Sequence, residues 1–373
     1  MKSPTLERRK PKHESIYQTI RQEIESGVLE HGAALASESQ LCERLHASRG
    51  PVRQALAELQ RQGLIRRQPG KGSFVHNPQR TEPSTDRAIR HLLVLINAIG
   101  ATPANFVAHE LVDGLGRAVE EAGERYRLSF QFHRSGYSLD AQSVPPCHGI
   151  VVVPFTHDGV RGFQKLASEL TIPVASVYNR LDVDGVSQFY VDHEGGAYDA
   201  TELLIRYGHR RIAMLGEPAI SPGPAAAERE AGFLRAVKSA GLSEGTASIV
   251  RVGVEHLAAR STIERLLRQP NRPTALVIAG GVITPMALEA IRLVGLRVPS
   301  DLSVIAFDDT PEAATNEPKL AVVKIPLGRL SRLGIGWLVG QTEKYTQSRE
   351  RESIALKPEI IVSQSIGPAP SEQ

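Results

Sequence analysis

Residues 48–75 read SRGPVRQALAELQRQGLIRRQPGKGSFV. Val52, Leu56 and Leu59 recur at three- and four-residue steps, the spacing of a helix with one buried stripe. Ser48 stands before the stripe as an N-cap, and Gly63 follows it as a stop. The stretch LIRRQPGKGSFV holds two short strands around a Pro-Gly-Lys-Gly turn. With the apolar stripe facing inward, Arg49 and Arg53, four residues apart, share another face. Two guanidinium forks on one helix face suit a major groove, where arginine pairs bidentately with guanine O6 and N7. The helix N-terminus at Ser48 suits a phosphate. The turn Gly70-Lys71-Gly72 is narrow and cationic and suits a wing beside a phosphate or in a minor groove. Taken alone, Arg49 and Arg53 fit a solvated helix surface better than a groove-reading one.

Upstream, Ile16, Ile20 and Ile24 lie four apart and predict a helix over 15–26 that stops at Gly27. A second helix starts at Ser37, where Ser37 and Gln40 have capping-box spacing and Leu41 and Leu45 share a face. Three helices and a two-stranded wing therefore occupy residues 1–76. Residues 77–90 (NPQRTEPSTDRAIR) are polar, contain two prolines and read as a linker. From His91 the pattern changes. The apolar runs LLVLI, IVVVP, IPVASVY, RIAMLG, TALVIAG and LSVIAF alternate with helical stretches, the pattern of parallel sheets with crossover helices. So many strands predict two α/β lobes over residues 91–365. About fifteen residues separate the strand ends near Phe132 and Gly149, which leaves little room for a helix in that crossover, since a full connection needs ~10–12 residues.

Composition narrows the function. Residues 1–80 hold 14 Lys and Arg against 8 Asp and Glu, a net +6, and the remainder holds 30 against 33, a net −3. A basic first part on a slightly acidic body fits a polyanion partner for the first part. Cys42 and Cys147 have no CxxC or CxH neighbour and read as reduced, buried thiols. The start MKSPTLERRKPKHE lacks the apolar stretch of a signal peptide, and no segment nears the ~18 apolar residues of a membrane span. The expectation is a cytoplasmic protein without a membrane partner. No GxGxxG follows a first strand, no GxSxG is present and the histidines have no metal-ligand spacing. Neither an enzyme, a metal site nor a cofactor is expected.

The arrangement as a whole resembles the winged helix-turn-helix of the GntR family. The resemblance rests on Tyr17, Ile20 and Ile24, on Gly27-Val28-Leu29, on Ser37-Glu38-Ser39-Gln40-Leu41, on Ser48 through Leu56, on Gly63-Leu64-Ile65 and on Gly70 through Val75. It implies base or phosphate contacts from Arg49 and Arg53, support from Ser39, Ser48 and Gly50, and wing contacts from Gly70 and Lys71. Ala36 stands where that family usually has proline, and Gly50-Pro51 replaces a usual polar-Thr pair.

The larger part is similar to the effector domain of the LacI/GalR family, itself like periplasmic sugar-binding proteins. The residues that carry this are Val191 through Ala197, Tyr207 through Ala213, Glu228 through Phe233 and Gly295 through Asp309. The combination resembles the arabinose-repressor type of Gram-positive bacteria. It implies a homodimeric repressor that reads a roughly palindromic double-stranded DNA operator and answers to a small carbohydrate effector bound between two lobes. The resemblance puts Arg229 and Asp308 on the effector, and Phe106, Tyr178 and Asn179 follow strand ends where they can line the cleft. From the residues alone, Arg229 also fits a surface helix, Asp308 a turn cap, and Phe106 and Tyr178 the core. His193 and His209 fall in motifs that imply structural roles. Gly280-Gly281 replaces the usual Asn-Asp, which implies either a departure from simple sugar recognition or room for a larger ligand.

Overall fold

The computed structural model describes residues 12–25, 29, 33–68, 72–75, 89–98, 106–134, 139–217, 223–243, 245–253, 255–343 and 351–371. The chain divides into two compact units, Met1–Ala88 and Ile89–Gln373. Among the described residues no helix is long and apolar enough to cross a membrane. Gly27, Gly70, Lys71 and most of the linker lie outside the described residues.

The first unit holds α1 (Lys12–Glu25), α2 (Glu38–Arg44) and α3 (Arg49–Arg61), then β1 (Ile65–Gln68) and β2 (Gly72–Val75). The isoleucine stripe of α1 is buried against Leu41, Val52, Ala55, Leu56 and Leu59 in one small core. The Ser37 hydroxyl accepts from the Gln40 amide while the Gln40 side chain accepts from the Ser37 amide, so the capping box is complete. Gly63 takes a φ of 74°, the left-handed turn that lets the chain leave α3 for β1. β1 and β2 pair antiparallel, with Ile65 opposite Val75, both buried. Ser48 is the N-cap of α3, yet its hydroxyl makes no capping bond.

The second unit contains two six-stranded sheets. One runs β13-β7-β6-β5-β3-β4, all parallel, from β3 (Arg90–Ala98), β4 (Tyr126–Arg134), β5 (Gly149–Pro154), β6 (Val174–Tyr178), β7 (Val186–Val191) and β13 (Ser353–Leu356). Helices α4 (Phe106–Ala122) and α11 (Leu327–Glu343) share its larger core, and α5 (His157–Glu169) packs on the other. The described part of the β4–β5 connection holds only one 3-10 turn, Ala141–Ser143, as its short length predicts.

The other sheet runs β14-β12-β11-β10-β8-β9, from β8 (Ile212–Gly216), β9 (Ala247–Arg251), β10 (Ala275–Ile278), β11 (Ser303–Phe307), β12 (Ala321–Lys324) and β14 (Glu359–Ile361). Its strands are parallel except the edge strand β14. Helices α6 (His193–Arg206), α7 (Pro224–Ser239), α8 (His256–Leu267), α9 (Thr284–Val294) and α10 (Pro311–Thr315) complete this lobe. The chain passes between the lobes three times: after β7, after β12, and between β13 and β14. Two passages are tied together where the Asp192 amide donates to Leu356 O at 2.9 Å. Past residue 365 the chain still packs on the second lobe, since Ile366 is buried and Gly367 O accepts from the His209 ring. Cys42 and Cys147 are free and half-buried.

All six quoted apolar runs are strands, and the central ones are buried on both faces, as parallel sheets covered by helices require. Helices α6 and α7 pack closely because Gly232 has no side chain. A Cβ there would stand 2.1 Å from Glu194 O. Alanine normally favours a helix over glycine by about 1 kcal/mol, but overpacking against backbone costs about 1–3 kcal/mol or more. Gly232→Ala therefore lowers the stability of the chain, read as a lower urea midpoint with an unchanged slope.

Candidate DNA interface and effector site

In the first unit, Ser39, Ser48, Arg49, Gly50 and Arg53 are all exposed. A Cβ at Gly50 would meet nothing within 4 Å, so that side of the α3 N-terminus is open. The Arg53 side chain is 65% exposed, and its Nε donates to Glu38 Oε2 at 2.8 Å. The other Glu38 oxygen lies 3.4 Å from Arg67 Nη2. The Arg53 hydrogen bond, then the charges of Arg53, Arg67 and Arg49, hold the Glu38 carboxyl below the usual carboxylate range. Glu38 thus gathers cations from α3 and β1 at the start of α2. Sequence reading placed Glu38 in the capping-box stretch and passed over Arg67. Their meeting is tertiary, and no spacing rule connects residues 38, 53 and 67.

In the second unit, the chemistry concentrates at the C-terminal ends of the strands, where open parallel sheets place ligands. Arg229, in the second turn of α7, is only 3% exposed. Its Nη1 donates to Ala279 O at 2.5 Å, its Nη2 to Tyr178 Oη at 3.2 Å, and its Nε to His193 Nδ1 at 3.4 Å. The guanidinium lies 4.2 Å from the centre of the Phe307 ring. Asp308 Oδ1 stands 4.0 Å from Arg229 Nη2, and Asp308 Oδ2 accepts from the Gly281 amide at 3.2 Å. Tyr178 comes from one lobe and the rest from the other. Tyr178 and Asp308 each end a strand with a positive φ, 84° and 69°. Non-glycine residues hold that conformation only where surrounding structure enforces it, at a cost of about 1–3 kcal/mol.

The ionisation states follow from burial. Burial pushes the Asp308 carboxyl up while Arg229 pulls it down, and the net direction is up. Burial, then the Arg229 charge, holds the His193 imidazole far below its ordinary value, so it is neutral near pH 7. Burial also pushes the Tyr178 hydroxyl up, so Tyr178 keeps its proton. Burial opposes the Arg229 charge, but Tyr178, Asp308 and Glu217 outweigh it and raise its pKa.

The residues singled out in the sequence separate here. Tyr178, Arg229 and Asp308 come together, and the Cβ position of Gly280 lies 4.0 Å from Arg229 Nη1. The buried Asn179 uses its amide on Pro154 O at 2.7 Å, bracing the ends of β5 and β6. Phe106 is half-buried, begins α4 and packs against the core of the first lobe. His193, read as structural, touches Arg229. His209 is buried against Thr274, Ser303 and Gly367 O, holding the last segment to the lobe. Among the described residues no group of three or more His, Cys, Asp or Glu could hold a metal ion.

Comparison with known proteins agrees with this division. Residues 12–75 match bacterial regulatory proteins of the gntR family, and residues 201–366 match the periplasmic binding protein-like domain. The chain is a transcriptional regulator of two modules, a gntR-family DNA-binding domain followed by a periplasmic-binding-protein-like domain. Along its whole length it is similar to the arabinose metabolism transcriptional repressor of Geobacillus stearothermophilus, at 27% identity over 98% of this chain and 99% of that one. Its fold matches a LacI transcriptional regulator from a Rhodococcus species, with a TM-score of 0.63 and 22% identity over 75% of this chain and 99% of that one. It also matches the transcriptional regulator CelR in complex with cellobiose, with a TM-score of 0.62 and 20% identity over 89% of this chain and 100% of that one.

Glu228 provides a test of the electrostatics. Burial raises its carboxyl to about 6 against the downward pull of Arg180. A carboxyl with a native pKa above its ordinary 4.5 stabilises the fold while protonated. That contribution is complete below about pH 4.5 and lost as pH rises through about 6. Glu228→Gln should therefore raise the thermal unfolding midpoint at pH 8 and leave it close to that of the native protein at pH 4.5. An equal shift at both values would contradict the assigned cause.

Proposed function

We propose that this chain is a cytoplasmic repressor that binds an operator as a homodimer through α3 and releases it when a carbohydrate occupies the Arg229 cluster. Arg49 and Arg53 enter the major groove, Ser39, Ser48 and Gly50 border the phosphates, and Gly70 and Lys71 form the wing contact. Two winged domains related by a two-fold axis read a palindromic site. Tyr178, Arg229 and Asp308 bind the effector, Gly280 leaves it space, and Phe106 and Asn179 shape the neighbouring wall. The ligand is sensed and left chemically unchanged.

One observation carries the effector half of this reading. Asp308 is 4% exposed, and its Oδ1 has no hydrogen-bond partner among the described residues. A buried carboxylate oxygen left unsatisfied beside a cation and at a strained strand end is costly in an empty protein. A ligand hydroxyl removes that cost. The names of the similar proteins point the same way, since one governs arabinose metabolism and another is bound to cellobiose.

The DNA half is tested with operator DNA selected from a random pool by the native protein. Arg53→Ala costs about 1–3 kcal/mol of operator affinity if Arg53 makes a bidentate base contact. Native affinity in that variant would remove α3 from the interface. The coupling is tested by titrating operator with and without saturating arabinose or cellobiose. The expected coupling is about 1–3 kcal/mol, roughly a 5- to 150-fold loss of affinity, and the operator weakens sugar binding by the same factor. Equal operator affinities with a sugar demonstrably bound would end the regulator mechanism.

A further inference from the structure

The strand order places one unassigned acid at the point where a ligand belongs. β8 and β10 are neighbours in the second lobe's sheet, but the chain leaves β8 for β9 on one side and returns to β10 on the other. The crevice between the ends of two such strands is where open α/β sheets bind ligands. Glu217 follows β8 directly, and Gly280 lies just beyond β10. A Cβ at Gly280 would stand 3.6 Å from Glu217 Oε1 and 4.0 Å from Arg229 Nη1. Gly280 thus leaves open a place flanked by an acid and a cation. Gly281 does not. A Cβ there would lie 2.7 Å from the Thr310 methyl and 3.3 Å from Asp308 Oδ2, so its space is already filled. The Gly280-Gly281 pair makes one small opening, and Glu217 borders it.

We propose that Glu217 is an effector-binding residue and that, with Asp308 and His193, it makes this site one for neutral polyhydroxylated ligands that excludes carboxylates and phosphates. The proposal rests on the effector site described above and specifies its ligand class. Two buried polar atoms of the cluster, Asp308 Oδ1 and His193 Nε2, have no hydrogen-bond partner among the described residues. His193 Nδ1 faces the donating Arg229, so the neutral ring carries its proton on Nε2. The open pair is therefore one acceptor and one donor. A hydroxyl answers both, because it donates and accepts. All three Arg229 nitrogens already donate within the protein, to Ala279 O, Tyr178 Oη and His193 Nδ1, so at most two of its five N–H bonds are left for a ligand. An ionised carboxylate or phosphate offers only acceptors and would stand beside two carboxyls. Glu217 accepts from the Gly223 amide, and burial raises its carboxyl in spite of Arg229. A ligand hydroxyl donating to it relieves that burial.

The test is calorimetry on the full chain with arabinose, cellobiose, glucuronate and glucose 6-phosphate, with thermal unfolding as a second readout. The native protein should bind a neutral sugar and neither anion. Glu217→Ala should weaken that sugar roughly 5- to 150-fold, the loss expected for one unpaired polar group. Glu217→Gln, which keeps the volume, should lose less. Glu202→Gln, on the surface of α6, should match the native protein. An anion bound as tightly as the sugar, or no neutral sugar bound by the native protein, overturns the proposal. Native affinity in Glu217→Ala with binding lost in Arg229→Ala overturns it and leaves the site standing. Native affinity in both variants removes the site as well.

Discussion

A guanidinium taken almost wholly out of water sets the terms for the sensor. Removing a cation from solvent costs several kcal/mol even after the surroundings relax. Arg229 recovers this through a backbone carbonyl, a phenol, an imidazole, an aromatic face and a nearby carboxylate. The five partners come from four separate segments of the fold, and each must be held in place. The left-handed corners at Tyr178 and Asp308 turn two strand ends toward the charge. The close packing of α6 on α7 through Gly232 fixes the arginine's own helix.

Because Tyr178 ends a strand of one lobe and Arg229 lies on α7 of the other, the cation also joins the lobes. Opening them separates a hydrogen bond of 3.2 Å between buried groups, which is unfavourable unless water or a ligand replaces it. Closure is therefore sensitive to what occupies the space around one side chain. Three chain passages limit the motion available, and the bond from Asp192 to Leu356 ties two of them together.

The legible parts of this structure are the local ones. Runs such as LLVLI and LSVIAF announce themselves because a central parallel strand is apolar on both faces. β7 was not read as a strand because Ser187 and Gln188 interrupt its apolar run, although both are buried. β9 and β14 are edge strands whose exposed positions blur the pattern, and β13 and β14 are too short to show a period. In the winged unit, the helices, the capping box at Ser37 and the pairing of β1 with β2 are readable from spacing, whereas the Ser48 hydroxyl makes no capping bond and Gly27 lies outside the described residues. At the effector site, Arg229 and Asp308 were reachable through resemblance. Glu217, the His193 contact and the meeting of Glu38 with Arg53 and Arg67 were not, since each depends on segments far apart in sequence. The strand-order rule would have pointed to Glu217, but only once β8 and β10 were known to be adjacent.

The threading of the chain has a consequence for synthesis. The core of the first lobe includes Leu327, Leu330, Ile335, Trp337, Leu338 and Leu356, all late in the chain. β3 through β7 therefore leave the ribosome well before the helix and strand that complete their lobe. The second lobe gathers five of its six strands and all five of its helices between residues 193 and 324. The lobe that begins earlier in translation thus waits for α11 and β13 until most of the other lobe has emerged, and until then the apolar face awaiting α11 stands open to water and to other nascent chains.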